Sequence, residues 1–99
     1  MTRQKLKDLV EHGREIEFYF SGKRFSITYY ESNGKPVISF CEFYKEITDV
    51  DTFDELCKIE RYGIKVIDML ESVHDDDIDI YWKQKKTHWI IVSSNYQCV

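Results

Sequence analysis

The chain has 99 residues, of which 42% are hydrophobic and 15% aromatic, and it carries a formal net charge of −4 at pH 7. This length suits a single domain over residues 1–99, in which large aromatic side chains supply much of the burial that a small core needs. No apolar stretch approaches the length of a membrane helix, which is about 20 residues, and the charged N-terminal segment is unlike a signal peptide. Cys41, Cys57 and Cys98 are too widely spaced for a disulfide framework, so we expect reduced thiols and a cytoplasmic protein.

The first predicted element is a short helix over residues 2–12. Thr2 is a suitable N-cap, and Leu6, Leu9 and Val10 fall on one helical face. Gly13 follows at the position where helices commonly end.

Residues 15–41 predict a three-stranded antiparallel meander, because apolar and polar residues alternate with a period of two. Gly22-Lys23 suits a tight turn with glycine first, and Asn33-Gly34 is a strong hairpin signal. Tyr19 and Tyr30 lie on the second face of this meander. They either form an exposed aromatic surface or lie partly buried under a helix or the last hairpin.

The second half of the chain predicts two helices and a further hairpin. Residues 42–50 fit either an extended strand or a turn, and Asp51 or Thr52 then caps a helix with acidic residues in its first turn. Helical spacing is broken at Gly63 and resumes over residues 64–73. A C-terminal hairpin follows, with Trp82 in its first strand and Trp89 in its second.

These elements together predict an α+β fold. We expect an antiparallel sheet of about five strands, formed by the meander and the C-terminal hairpin. An N-terminal helix and two central helices should cover one face of this sheet.

Charge is segregated along the chain. Residues 1–41 contain seven Lys/Arg and five Asp/Glu, residues 42–79 contain four and thirteen, and residues 80–99 contain three lysines and no acid. The acidic middle segment could face a basic partner, or it could be a solvated surface that keeps a small protein soluble. No region collects enough Lys and Arg to neutralise several phosphates, so we expect no direct nucleic-acid binding.

The sequence lacks the patterns that support catalysis or metal binding. An EF-hand loop that starts at Asp75 would place Ile80 where glycine is required and Lys86 where glutamate is required. The three histidines lack zinc-site spacing, and no CxxC, phosphate loop or nucleophile elbow occurs. Cys57 fits a small buried hydrophobe better than a nucleophile, because no base can be paired with it. We therefore expect no enzyme, no metal and no cofactor.

Three stretches carry a resemblance to a known group of proteins: GREIEFYFSGKRFSITYYESNGKPVISF, FYKEITDVDTFDEL and YGIKVIDMLESV. Over residues 5–75 the chain resembles small uncharacterised proteins of phages and mobile elements of Gram-positive bacteria. These share a short first helix, an x-I-x-F-x-x-x-G-x-x-Y-S-I strand pair and an F-D-E-L segment before a G-K-x-L helix. Here Ile64-Lys65-Val66 replaces the Gly-Lys start. The resemblance implies a bacterial host cell and no catalytic residue; such proteins include inhibitors of host defence, anti-CRISPR proteins among them.

The predicted function is accordingly that of a non-enzymatic phage-type binding protein. It would inhibit a bacterial defence protein, such as a CRISPR effector nuclease, by covering a basic surface with an acidic one. The alternative is a structural or assembly module that acts by homo-oligomerisation. The oligomeric state is therefore left as either monomer or homodimer. The candidate partner-binding residues form two groups: Glu42, Glu46, Asp49, Asp51, Asp54 and Glu55, and then Asp75, Asp76 and Asp77.

Overall fold

A computed structural model describes residues 1–81 of the chain. It shows an α+β fold with a five-stranded antiparallel sheet and three α-helices, which confirms the predicted class. The strands are β1 (Glu15–Phe20), β2 (Lys23–Ser32), β3 (Lys35–Glu42), β4 (Ile47–Val50), β5 (Glu60–Arg61), β6 (Ile64–Lys65) and β7 (Ile78–Tyr81). The helices are α1 (Arg3–Glu11), α2 (Phe53–Lys58) and α3 (Val66–Ser72), with a 3-10 turn at Asp75–Asp77.

Strands β1, β2 and β3 form the predicted meander, but its first turn lies one residue earlier than expected. Phe20 pairs with Lys23, so the two turn residues are Ser21 and Gly22, with φ values of 54° and 76°. The second turn, Asn33-Gly34, is as predicted, and both of its residues also have positive φ. Positive φ at both positions is the type I′ geometry that matches the twist of paired strands.

The sheet is completed at its two sides by β4 and β7, in the order β4-β3-β2-β1-β7. The segment that fitted either a strand or a turn thus contains the strand β4, with Val50 opposite Ile38. Strand β7 is the predicted first half of the last hairpin and places Ile80 opposite Ile16. The predicted second half, around Trp89, lies outside the described residues.

The central helices are shorter than helical spacing alone predicts. Thr52 begins α2 with a capping box, in which its hydroxyl accepts from the Glu55 amide while the Glu55 carboxylate accepts from the Thr52 amide. The helix then ends at Lys58, and β5 and β6 form a small hairpin around Gly63 before α3 begins.

One face of the sheet, the inner face, packs against all three helices. Its centre is a row of fully buried phenylalanines, with ring centroids 5.3 Å apart for Phe18–Phe25 and 5.6 Å apart for Phe25–Phe40. Leu6, from α1, and Leu70, from α3, belong to the same buried cluster. The apolar residues of the alternation therefore form the core on the inner face. The opposite face is not uniformly exposed, because three residues on it are also buried: Glu17, Ser26 and Cys41.

The thiols only partly match their predicted state. Cys57 is a free, buried thiol, as expected of a small hydrophobe. Cys41 is disulfide-bonded, so the expectation of a reduced thiol is wrong at this residue. Over residues 1–81, no helix combines the length and the apolar character needed to traverse a bilayer.

Candidate functional site

Five of the predicted acidic residues are exposed and lie together in sequence and structure. We call this set the acidic edge: Glu46, Asp49, Asp51, Asp54 and Glu55. The local fold explains its position, because β4 is the strand at one side of the sheet and only two residues separate the end of β4 from the start of α2. Carboxylates in the first turn of a helix are also favoured by its dipole.

Three members of the acidic edge already have partners within the chain. The Asp49 carboxylate accepts a 2.6 Å hydrogen bond from the Tyr30 hydroxyl, which raises the pKa of Tyr30 above its ordinary value. Asp54 forms a 3.0 Å ion pair with Arg3, and Glu55 is used in the cap of α2. The side chains of Glu46 and Asp51 have neither a hydrogen bond nor an ion pair with the rest of residues 1–81.

Glu42 differs from the other predicted residues because it is buried, with 6% of its surface exposed. Its carboxylate accepts a 2.6 Å hydrogen bond from the Tyr62 hydroxyl and lies 4.0 Å from the Lys45 ammonium. The hydrogen bond to Glu42 also raises the pKa of Tyr62 above its ordinary value. Glu42 is therefore part of an internal contact with the β5–β6 hairpin and not part of the exposed acidic edge.

The other predicted group, which we call the aspartate turn, is the 3-10 turn Asp75–Asp77. All three residues are exposed. Asp75 lies 3.6 Å from the amino group of Met1, whereas Asp76 and Asp77 have no ion pair with the described part of the chain. Within residues 1–81, no group of three or more His, Cys, Asp or Glu side chains is placed to hold a metal ion.

The first turn of α1 adjoins both acidic groups. Arg3 binds Asp54 of the acidic edge, and its guanidinium also lies 5.1 Å from the centre of the Phe53 ring. The amino group of Met1 approaches Asp75 and donates a 3.2 Å hydrogen bond to the carbonyl oxygen of Leu70. The two predicted groups therefore border the same helix end.

The hydrogen bonds and ion pairs that these carboxylates form within the chain are not evident from the sequence. Tyr30 and Asp49 are on strands separated by β3, so their contact follows only from the register of two successive strand pairs. Tyr30 and Tyr19 lie on the face of the sheet opposite the inner face, which we call the outer face, and each is 47% exposed. The outer face is thus aromatic and about half exposed at these two residues.

Cys57 does not have the surroundings of a reactive thiol. Cys57 is 3% exposed. Burial raises the pKa of its thiol, and this effect outweighs the charge of Arg3, which lowers the pKa. Because the thiolate is the nucleophilic form, a raised pKa makes the thiol less reactive.

Comparison of the chain with protein-family models, with curated proteins and with solved structures found no match. A functional conclusion therefore depends on the exposed surface, the burial and the charge of the chain itself.

Proposed function

We propose that this protein is a non-enzymatic binding protein that docks its acidic edge and aspartate turn on a basic surface of a protein partner. The observation that supports this most directly is that exposed carboxylates without partners in the described chain occur within two compact acidic groups: Glu46 and Asp51 in the acidic edge, and Asp76 and Asp77 in the aspartate turn. Carboxylates that serve the fold tend to be paired or to cap a helix, as Asp54 and Glu55 do here. The unpaired carboxylates carry charge that makes no stabilising contact within the described chain.

An exposed acidic surface acts mainly on the rate and selectivity of association. Complementary charges steer the encounter of two proteins, and like charges disfavour wrong partners. The same surface repels nucleic acid, so the proposed partner is a protein. The proposed effect should weaken as salt rises, because the Debye length falls to about 8 Å at physiological ionic strength.

The concrete form of this proposal is inhibition of a bacterial defence protein, such as a CRISPR effector nuclease. Such effectors hold nucleic acid in positively charged channels, so an acidic protein could occupy the same surface. The biological setting comes from the resemblance of residues 5–75 to small phage and mobile-element proteins. The unpaired carboxylates support the mode of binding and leave the identity of the partner to experiment.

The test compares two charge-reversed variants as bait in a pull-down from a Gram-positive lysate that contains a CRISPR effector. The first variant reverses Glu46, Asp76 and Asp77 to lysine. The matched control makes the same charge change at Glu31, Asp68 and Glu71, which are exposed and belong to neither acidic group. We expect the first variant to lose a basic nuclease, identified by mass spectrometry, that the wild type and the control retain. Equal recovery by all three baits would contradict the proposal.

A second candidate function, assembly into a homo-oligomer, is favoured by the side of the sheet formed by β4. Ile47 in this strand is 46% exposed, and the nearby Tyr44 is 74% exposed. An exposed edge strand is a natural site for pairing with a second chain. Size-exclusion chromatography with light scattering discriminates the two proposals: a dimer that resists salt and is lost in Ile47→Lys favours assembly, and a monomer opposes it.

A further inference from the structure

A cavity of about 380 Å³ lies where the end of α1, the ends of β2 and β3 and the start of α2 meet. Its lining includes Val10, Glu11, Tyr29, Pro36, Asp51 and Phe53. Pockets for small ligands span about 300 to 1,000 Å³. The volume is therefore at the lower end of that range and suits one side chain better than an extended peptide.

The walls of this cavity are largely apolar. Val10 and Phe53 belong to the core or pack against it, and Pro36 adds an exposed apolar ring. Tyr29 is held in place because its hydroxyl donates a 2.8 Å hydrogen bond to the carbonyl oxygen of Arg14. A phenol is uncharged at neutral pH, and burial raises the pKa of Tyr29 further.

Two carboxylates complete the lining, and no lysine or arginine contributes to it. Asp51 is exposed and has no ion pair within residues 1–81. Glu11 has only a 3.9 Å contact with the exposed Lys7 ammonium, a surface pair of the kind that contributes little. The cavity thus combines apolar walls with uncompensated negative charge.

We propose that this cavity receives an arginine side chain of the protein partner. The aliphatic stem of arginine covers apolar surface while its charged end stays at a polar rim. Its planar guanidinium carries five donors, which suits two carboxylates better than the single point charge of lysine. This inference rests on the proposed function and gives the basic partner an anchoring residue.

The direct test uses a probe that does not require the partner to be known. A capped Gly-Arg-Gly peptide is titrated into the ¹⁵N-labelled protein, with capped Gly-citrulline-Gly as a neutral control of nearly the same shape. We expect the arginine peptide to shift the amide signals of four residues that line the cavity, Val10, Gly13, Ile38 and Asp51, with a dissociation constant on the order of 1 mM. Citrulline should shift them much less. No shift at these amides, or equal shifts with both peptides, would overturn the inference.

A pair of neutral variants separates this inference from the proposed function. In Glu11→Gln/Asp51→Asn the arginine-induced shifts should fall at least tenfold, whereas Glu46→Gln/Asp76→Asn should preserve them. Amide signals distant from the cavity report whether each variant is folded. If the cavity variant responds like the wild type, the inference is wrong, and the pull-down of the lysine variants still decides the proposed function by itself.

Discussion

The inner face of the sheet, centred on β1, β2 and β3, and the acidic edge, which lies on and around β4 and the start of α2, differ in how their side chains are used. On the inner face, Phe18, Phe25 and Phe40 are fully buried and stacked against one another. On the acidic edge, Asp54 and Glu55 have partners in the chain, while Glu46 and Asp51 have none in residues 1–81. The inner face is stabilised by contacts within the chain, whereas the acidic edge exposes charged groups that can contact a partner.

This difference implies that substitutions in the two regions should have separable effects. A change on the inner face should lower the free energy of unfolding and affect binding only through the loss of folded protein. A change at an unpaired carboxylate of the acidic edge or the aspartate turn should leave stability nearly unchanged and alter association with a partner.

The largest expected effect is from Phe18→Ala, because the ring is fully buried and stacks on Phe25. Truncation of a buried phenylalanine lowers the free energy of unfolding by about 3 to 5 kcal/mol, through lost burial and the cavity left behind. Tyr19→Ala is the matched control, since Tyr19 is the next residue of β1, faces the other way and is 47% exposed. Urea denaturation should show a much smaller loss for the control. Similar losses would mean that the two faces are not distinguished by burial as described.

The next effect concerns the start of α2, where the fold itself uses acidic-edge residues. Thr52→Ala removes the hydroxyl that accepts from the Glu55 amide, and we expect it to cost about 1 kcal/mol of stability. Thr52→Ser retains the hydroxyl and should stay close to the wild type in the same urea measurement. A neutral result for alanine would show that the capping box does not stabilise the helix.

The pH dependence of stability tests the burial of two tyrosines, Tyr29 in the cavity wall and Tyr81 in β7. Burial raises the pKa of Tyr29 above the unfolded value of 10.0, and burial likewise raises the pKa of Tyr81 to about 12. Above pH 10 the unfolded chain therefore loses these protons before the folded chain does, so the free energy of unfolding should fall as pH rises.

Tyr29→Phe identifies the share of that fall due to one residue. It removes the hydrogen bond to the Arg14 carbonyl, so it should cost about 0.5 to 1.5 kcal/mol at neutral pH. It should also make the decline above pH 10 less steep. Denaturation curves at neutral pH and above pH 10 measure both effects, and an unchanged alkaline slope would contradict the assignment to Tyr29.

The smallest expected effect on stability is from Glu46→Gln. This exposed carboxylate has no partner in the described chain, so we expect a change within about 0.5 kcal/mol. A thermal melt at constant pH and salt is sufficient to measure it. A loss above that limit would indicate that Glu46 serves the fold and not the proposed interface.

The elements with strong periodic patterns were predictable from the sequence, because the apolar residues that form the core recur with a period of two in strands and with helical spacing in helices. The meander, the first strand of the last hairpin and the three helices were predictable in this way. The first turn was misplaced by one residue because glycine occupies its second position, and Ser21 adopts the positive φ at the first. The end of α2 was missed because the small hairpin around Gly63 has only two residues in each strand.

The sequence predicted the candidate site as an acidic segment, but it did not predict which of its carboxylates are buried and which are exposed. Counting carboxylates treats Glu42 and Glu46 alike, yet one is buried and the other exposed. The difference arises from Tyr62, which reaches Glu42 from a turn 20 positions later in the chain. Such pairing depends on tertiary structure, and no spacing rule along the sequence encodes it.

The most direct test of the central claim is the association rate of the captured partner with the Glu46, Asp76 and Asp77 lysine variant, measured at low and at physiological salt. The account predicts a slower rate than for the wild type, with the difference largest at low salt, while the Glu31, Asp68 and Glu71 control associates like the wild type. Equal rates for all three proteins at both salt concentrations would contradict the claim that the acidic edge and the aspartate turn form the binding surface.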